Sequence, residues 1–311
     1  MKNRKRKVNM KKIFFFAAIV FSIVLINDRQ ASAVSWKKIK IEADDSKTII
    51  KHGLYYFKYA SGYVYVSRSK YSGYIKTPMT CKYSCTFLCD GAKTYYMDRT
   101  GKVLYQYYLN SCKKKRIKRI VGSKKDFYTV ISAVYKNNIY LTCGDDEQND
   151  TCVYNIAKKK VVQKIRNCSI TDQKGRYAVS EPGYNEDGEH IVELYKLTAS
   201  GLKKIKQLSN DGDSFGFIDG KLYYSRDSAI ITCMRIEKRE LYRCNPNGKG
   251  IKKLGEFSSK TGKINIYKVT GTYCIYGTHR YYGDDYYKYN YKTRKRKKVT
   301  IEIENGKETI K

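Results

Sequence analysis

The 311-residue chain has only 3 Pro, 3 His and 1 Trp, and its 29 acidic residues are outnumbered by 63 Lys and Arg. Each shortage excludes something. His52, His190 and His279 lie far apart, and none has Cys or carboxylate neighbours at zinc-like spacing, so no metal site and no cofactor is expected. The G-x-S-x-G pattern is missing, and with it the nucleophile elbow of an α/β-hydrolase. No glycine-rich phosphate loop occurs. Long 3.6-residue apolar periodicity is absent after residue 33, which argues against a helical domain. No catalytic residue is nominated, and a non-enzymatic protein is expected.

The N-terminal 33 residues read as a secretory signal peptide. Lys2, Arg4, Lys5, Arg6, Lys7, Lys11 and Lys12 precede an uncharged apolar run of 14 residues, 13–26, and Ala31, Ser32 and Ala33 supply a small-residue cleavage site. The run is shorter than the roughly 20 residues that span a bilayer. Membrane contact is therefore expected only through this segment, if it stays uncleaved. Residues 34–311 are read as one domain, secreted or displayed at the cell surface.

The formal charge of +34 resides mostly in that domain. Self-repulsion at such a charge disfavours compaction, so a polyanionic neighbour would help. Export makes nucleic acid a poor candidate. Anionic cell-wall polymers, anionic headgroups and acidic glycans remain, as does the plain alternative that Lys solubilises a Tyr-rich surface. The 32 Tyr suit half-buried pleated sheets, where the ring packs and the hydroxyl reaches water. With so many turn residues, they predict an all-β protein.

Residues 216–254 show the repeating unit best: G-F-I-D-G-K-L-Y-Y-S-R-D, a variable middle, then E-L-Y-R-C-N-P-N-G-K-G-I-K-K-L. This is a meander of antiparallel strands joined by local turns. Looser copies lead with Tyr55, Tyr95, Tyr140, Tyr177, Tyr223 and Tyr273, at spacings of 40, 45, 37, 46 and 50. Units of about four strands at this period predict a β-propeller of six to seven four-stranded blades. A β-solenoid or a pair of sandwiches is the alternative architecture. Trp36, Ile39 and Ile41 alternate with polar residues and are expected to form an edge strand, closing the last sheet if there are six blades.

The repeat resembles those of secreted bacterial β-propellers of unknown function, which are similar in pattern to Tol-Pal-type and low-density-lipoprotein-receptor-type propellers. The likeness is good over 216–254 and weaker over 50–303. It implies a fold and a binding role, and supplies no catalytic residue. Tyr-Trp-Thr-Asp does not occur, so the receptor-type ligand site is not implied.

Ten cysteines in an exported chain are candidates for bridges. Cys143 and Cys152 flank the polar stretch 144–150 and are the best disulfide pair. Buried free thiols are the alternative. Three acidic runs, around Asp145, Asp211 and Asp284, lack calcium-loop alternation and read as solvated turns, with service as internal counter-charges in a basic protein as the alternative.

Lys-Lys recurs before the closing aliphatic of several units. Lys113, Lys114, Lys115, Arg116, Lys203, Lys204, Lys252, Lys253, Arg294, Lys295, Arg296 and Lys297 are therefore the candidate binding residues, forming a basic rim. The expected partner is an anionic cell-wall polymer or a surface protein. A glycan-binding or glycan-cleaving propeller is the alternative, with carboxylates from Glu186, Asp187, Asp284 and Asp285.

Overall fold

The computed structural model describes residues 36–42, 49–80, 84–120, 128–144, 149–181, 190–228, 238–259, 263–280, 283–304 and 307–311. Residues 1–33, and so the expected leader, lie outside them. Among the described residues every regular element is a strand. After β1 (Lys37–Glu42), the first sheet holds β2 (Ile49–His52), β3 (Tyr55–Ala60), β4 (Tyr63–Ser67) and β5 (Ile75–Thr80). The second holds β6 (Ser84–Asp90), β7 (Lys93–Met97), β8 (Val103–Tyr108) and β9 (Lys113–Arg119). In the third are β10 (Tyr128–Tyr135), β11 (Asn138–Gly144), β12 (Asn149–Asn155) and β13 (Lys160–Ile165).

The fourth comprises β14 (Ile170–Lys174), β15 (Tyr177–Ser180), β16 (Val192–Leu197) and β17 (Leu202–Ser209). The fifth has β18 (Ser214–Ile218), β19 (Lys221–Ser228), β20 (Lys238–Cys244) and β21 (Lys252–Ser258), and the sixth β22 (Lys263–Val269), β23 (Tyr273–Arg280), β24 (Gly283–Asn290) and β25 (Arg296–Val299). A hairpin of β26 (Ile301–Glu304) and β27 (Lys307–Ile310) follows. The architecture is a β-propeller of six sheets, each an antiparallel meander in chain order.

Local chemistry explains the meanders. Asp219 and Gly220 both take positive φ, at 48° and 74°, as a type I′ hairpin turn requires. Alternation then buries one residue in two, as in β3, where Tyr55, Phe57 and Tyr59 are buried and the residues between are half-buried.

Sheets pack face to face through apolar clusters. Phe57 meets Phe87 at 5.2 Å between the first and second sheets. Leu88 and Leu104 meet Ile139 and Leu141 between the second and third. Tyr140 and Val153 meet Ala178 and Tyr195 at the next seam, Leu194 meets Leu222, and Tyr223 meets Cys274 and Tyr276. The first strands β6, β10, β14 and β18 touch one another in sequence and so line the inside of the ring.

These inner strands carry a feature the sequence did not announce. A register shift interrupts β10 at Ile131/Ala133, β14 at Ile170/Asp172, β18 at Ser214/Gly216 and β22 at Ile266/Lys268. Such bulges raise local twist. Beyond them, outward-facing backbone groups of these edge strands are taken up by side chains of neighbouring sheets. The Val134 N–H donates to Gln173 Oε1 at 3.0 Å, and Gln173 Nε2 donates back to Val134 O at 2.7 Å. The Phe217 N–H donates to Asp172 Oδ2 at 2.7 Å.

The opening strand departs from expectation. β1 does not enter the last sheet. It pairs antiparallel with β6, from Lys37 opposite Cys89 to Glu42 opposite Ser84, as a fifth strand on the inner edge of the second sheet. Both of its faces are used there. Ile39 and Ile41 bury into the cluster between the first two sheets. On the other side, Lys38 reaches the third sheet and donates to Ser132 O at 2.7 Å, and burial pushes its pKa down.

Residues 277–280 and 283–285 belong to β23 and β24. The chain leaves the sixth sheet at Thr300, which exchanges two 3.0 Å backbone bonds with Lys311.

Candidate basic site

In a meander, the turns between first and second and between third and fourth strands share one end. The second-to-third and sheet-to-sheet connections share the other. The twelve candidate residues all fall at the first of these ends, on or next to a fourth strand. Lys113, Lys114, Lys115 and Arg116 open β9, and Lys203 and Lys204 lie at the start of β17. Lys252 and Lys253 open β21, Arg294 and Lys295 end the turn before β25, and Arg296 and Lys297 open it. All twelve are exposed.

Their electrostatic surroundings differ. Lys204 is spent on the buried Glu193. Lys253 bridges Glu240, at 2.6 Å, and Glu256, so its pKa is pushed up while the Lys253 hydrogen bond draws Glu240 down to about 2. Several cations rest on tyrosine rings instead: Lys114 over Tyr105 at 5.2 Å, Lys288 over Tyr273 at 4.1 Å, and Arg296 over Tyr287 at 5.7 Å. A ring holds a cation without neutralising it.

Three of the twelve converge. Lys252, Lys253 and Arg294 line a cleft of about 480 Å³ between the fifth and sixth sheets, with Arg243, Lys292, Thr272, Asn290 and Tyr291. The groups on the second and fourth sheets lie elsewhere and do not join it. Sequence reasoning missed Arg243 because it sits nine residues before Lys252. The N-P-N-G-K-G turn, closed by the Gly248 N–H on Asn245 O at 2.8 Å, folds the two into register. That turn was the available signal.

The opposite end carries a paired network. Arg239, 5% exposed, donates from Nε to Asp227 Oδ1 at 2.7 Å, from one terminal nitrogen to Asp227 Oδ2 at 2.5 Å, and from the other to Asp213 Oδ2 at 2.7 Å. His190 Nδ1 lies 3.4 Å from Asp213, which pushes the histidine up and the carboxylate down. Glu181 accepts the Ser214 N–H at 2.7 Å, and burial pushes its pKa up. Asp213 is thus no solvated turn, because Arg239 and His190 fold onto it from other strands. Among the described residues, no three His, Cys, Asp or Glu converge as a metal site.

Cys143 and Cys152 are buried free thiols. They do not sit directly opposite. Cys143 is in register with Asp150 and Cys152 with Leu141, so they share a face as diagonal neighbours. The hydrogen bond between them pushes Cys143 up and Cys152 down. Of the glycan-site carboxylates, Glu186 and Asp187 lie outside the described residues, as does the Asp284 side chain. Asp285 is bound by Lys298 at 2.7 Å.

No family model matches the chain. No curated protein matches it significantly. Solved structures do resemble it. An oligogalacturonate lyase from Vibrio parahaemolyticus is 11% identical over 88% of each chain, with a TM-score of 0.44. A putative TolB from Agrobacterium tumefaciens is 13% identical, covering 72% of this chain and 82% of its own, with a TM-score of 0.38. Dipeptidyl peptidase 4 from Porphyromonas gingivalis is 12% identical over 88% of this chain, which spans 49% of the peptidase, with a TM-score of 0.47. Enzymes and TolB-type proteins thus stand side by side, and at these values neither says anything of the chemistry of this chain.

Proposed function

We propose that this is an exported, non-enzymatic binding protein whose fourth-strand ends dock an anionic cell-wall polymer. The observation that carries the reading is the recurrence of exposed cations at one topological position in four of the six sheets. Among the described residues, Lys113, Lys114, Lys115 and Arg116 have no carboxylate partner. A chain of regularly spaced negative charges, long enough to follow the ring, would meet these groups in turn. Each exposed contact is weak, so affinity comes from their number and falls with salt.

Co-sedimentation with purified cell wall, at rising sodium chloride, tests this. Binding at low salt that is lost toward about 0.5 M is expected, because screening shortens the reach of each charge. Salt-independent retention would point to a surface protein as partner, and no retention at low salt removes the proposal.

A further inference from the structure

We infer that the cleft between the fifth and sixth sheets is a specific subsite for successive phosphate groups of a phosphodiester polymer. The inference rests on the polymer reading above and names the chemistry of that polymer. Arg243 and Lys252 are register partners on β20 and β21 and form one wall. Lys292 and Arg294 form the other, on a turn that cannot easily relax. Asn290 Oδ1 accepts the Lys292 and Thr293 N–H groups at 2.9 and 3.0 Å, and Asn290 O accepts the Arg294 N–H at 2.9 Å. The Tyr291 N–H donates to Thr272 O at 3.0 Å and ties this turn to the start of β23.

Among the described residues, none of Arg243, Lys252, Lys292 and Arg294 makes an ion pair. Of the nearby acids, Glu240 and Glu256 hold Lys253, and Asp219, exposed beside Gly271 at the edge of the cleft, leaves one carboxylate against these four cations. Four fixed cations around one cleft repel each other unless an anion enters.

Three features choose the anion. One carboxylate cannot balance four cations, whereas successive phosphates can. A phosphodiester directs its two free oxygens apart, so cations on facing walls both reach it, while a planar carboxylate offers its oxygens to one side. A volume of about 480 Å³ exceeds one inorganic ion and falls in the range of small-molecule sites. Thr272, exposed on the lining of the cleft, is then placed to meet the polyol or sugar between phosphates.

Calorimetric titration with orthophosphate, tripolyphosphate and citrate at matched ionic strength tests the inference. Tripolyphosphate is expected to bind one-to-one, at least about tenfold tighter than orthophosphate or citrate. Lys252→Gln with Arg294→Gln should weaken it at least about tenfold, and Lys118→Gln with Arg166→Gln, exposed cations outside the rim, less than about twofold. Lys292→Gln is the second cleft variant should the first not fold. Equal affinity for citrate, or a cleft variant that binds as tightly as wild type, overturns the inference. The two proposals fail separately. Tripolyphosphate binding through the cleft without wall sedimentation refutes only the polymer reading. Wall sedimentation unchanged in the cleft variant refutes only the subsite.

Discussion

Replacing Arg239 by Met should destabilise the protein in a pH-dependent way, and the dependence is the informative part. Arg239 ties three strands through two bonds to Asp227 and one to Asp213. The Asp227 side chain is 2% exposed, and burial pushes its pKa up to about 6 even against the guanidinium. A carboxylate with a raised folded pKa holds its proton more tightly than the unfolded chain does. Its contribution to stability therefore falls as pH rises from the unfolded value near 3.9 to the folded one.

Without Arg239 the folded pKa climbs further, so in the variant the Asp227 contribution goes on falling above pH 6, where in wild type it has levelled off. Each unit is worth about 1.4 kcal/mol, which makes the ionisation part of the penalty small at pH 5.5 and about 3 kcal/mol at pH 8. That approaches the roughly 3–5 kcal/mol seen when a buried pair loses one partner. Urea unfolding of both proteins at pH 5.5, 6.5, 7.5 and 8 measures the difference. A penalty that is constant across this range would refute the reasoning, because packing loss alone does not titrate.

The same network predicts that His190→Gln alters the pH profile with little effect at pH 8. Asp213 raises the His190 pKa, so the pair's stabilisation is complete below about 6.5 and is lost as pH rises through the folded value. The variant should lack that part of the decline, worth about 0.5–1 kcal/mol for a half-exposed pair, in urea titrations at pH 6 and 8. His52, whose pKa burial pushes down, titrates in the opposite sense and is common to both proteins. Gly212→Ala should cost about 2–3 kcal/mol in midpoint denaturant, since φ there is 151° and an added Cβ would meet Ser225 O at 2.3 Å. Among the seven cysteines whose side chains are described, iodoacetamide should label the exposed Cys112 in the folded protein. Cys89, Cys244 and Cys274, pushed up to about 12, 11 and 12 by burial, should react only in denaturant, as peptide mass spectrometry would show.

Much of the ring was legible because each meander is written locally. Tyr95, Tyr140, Tyr223 and Tyr273 each begin or lie within the second strand of a sheet, next to its first turn. That turn is encoded by Gly, Asn or Asp within a few residues, so pattern and structure agree. The fourth sheet was harder. Its first strand, I-T-D-Q-K, has one apolar residue, because Asp172 and Gln173 are used to bind the backbones of neighbouring sheets. Periodicity cannot register a strand whose side chains make hydrogen bonds across a seam.

The place of β1 was illegible for a related reason. Its alternation fits any inner edge, and only the burial of Lys38 against the third sheet selects β6. At the site, the repetition of Lys-Lys located the rim. The cleft depends on two turns bringing distant cations to one point, and the Arg239 network on three strands meeting. Neither relation has a sequence period.

How a chain of 63 basic and 29 acidic residues folds at all bears on what it does. Some cations are matched: Arg239 with Asp227 and Asp213, Lys164 with Asp150 at 2.9 Å and, at the turn end, Lys204 with Glu193 and Lys253 with Glu240 and Glu256. At the turn end some cations lie on tyrosine, as Lys76 does over Tyr63 at 3.4 Å and Lys114 over Tyr105. That contact suits the abundance of tyrosine, because the ring packs against the sheet while its face accepts the ammonium. It leaves the charge in place. Holding like charges close together costs stability, and the anion proposed for the cleft would relieve that cost on the turn braced by Asn290.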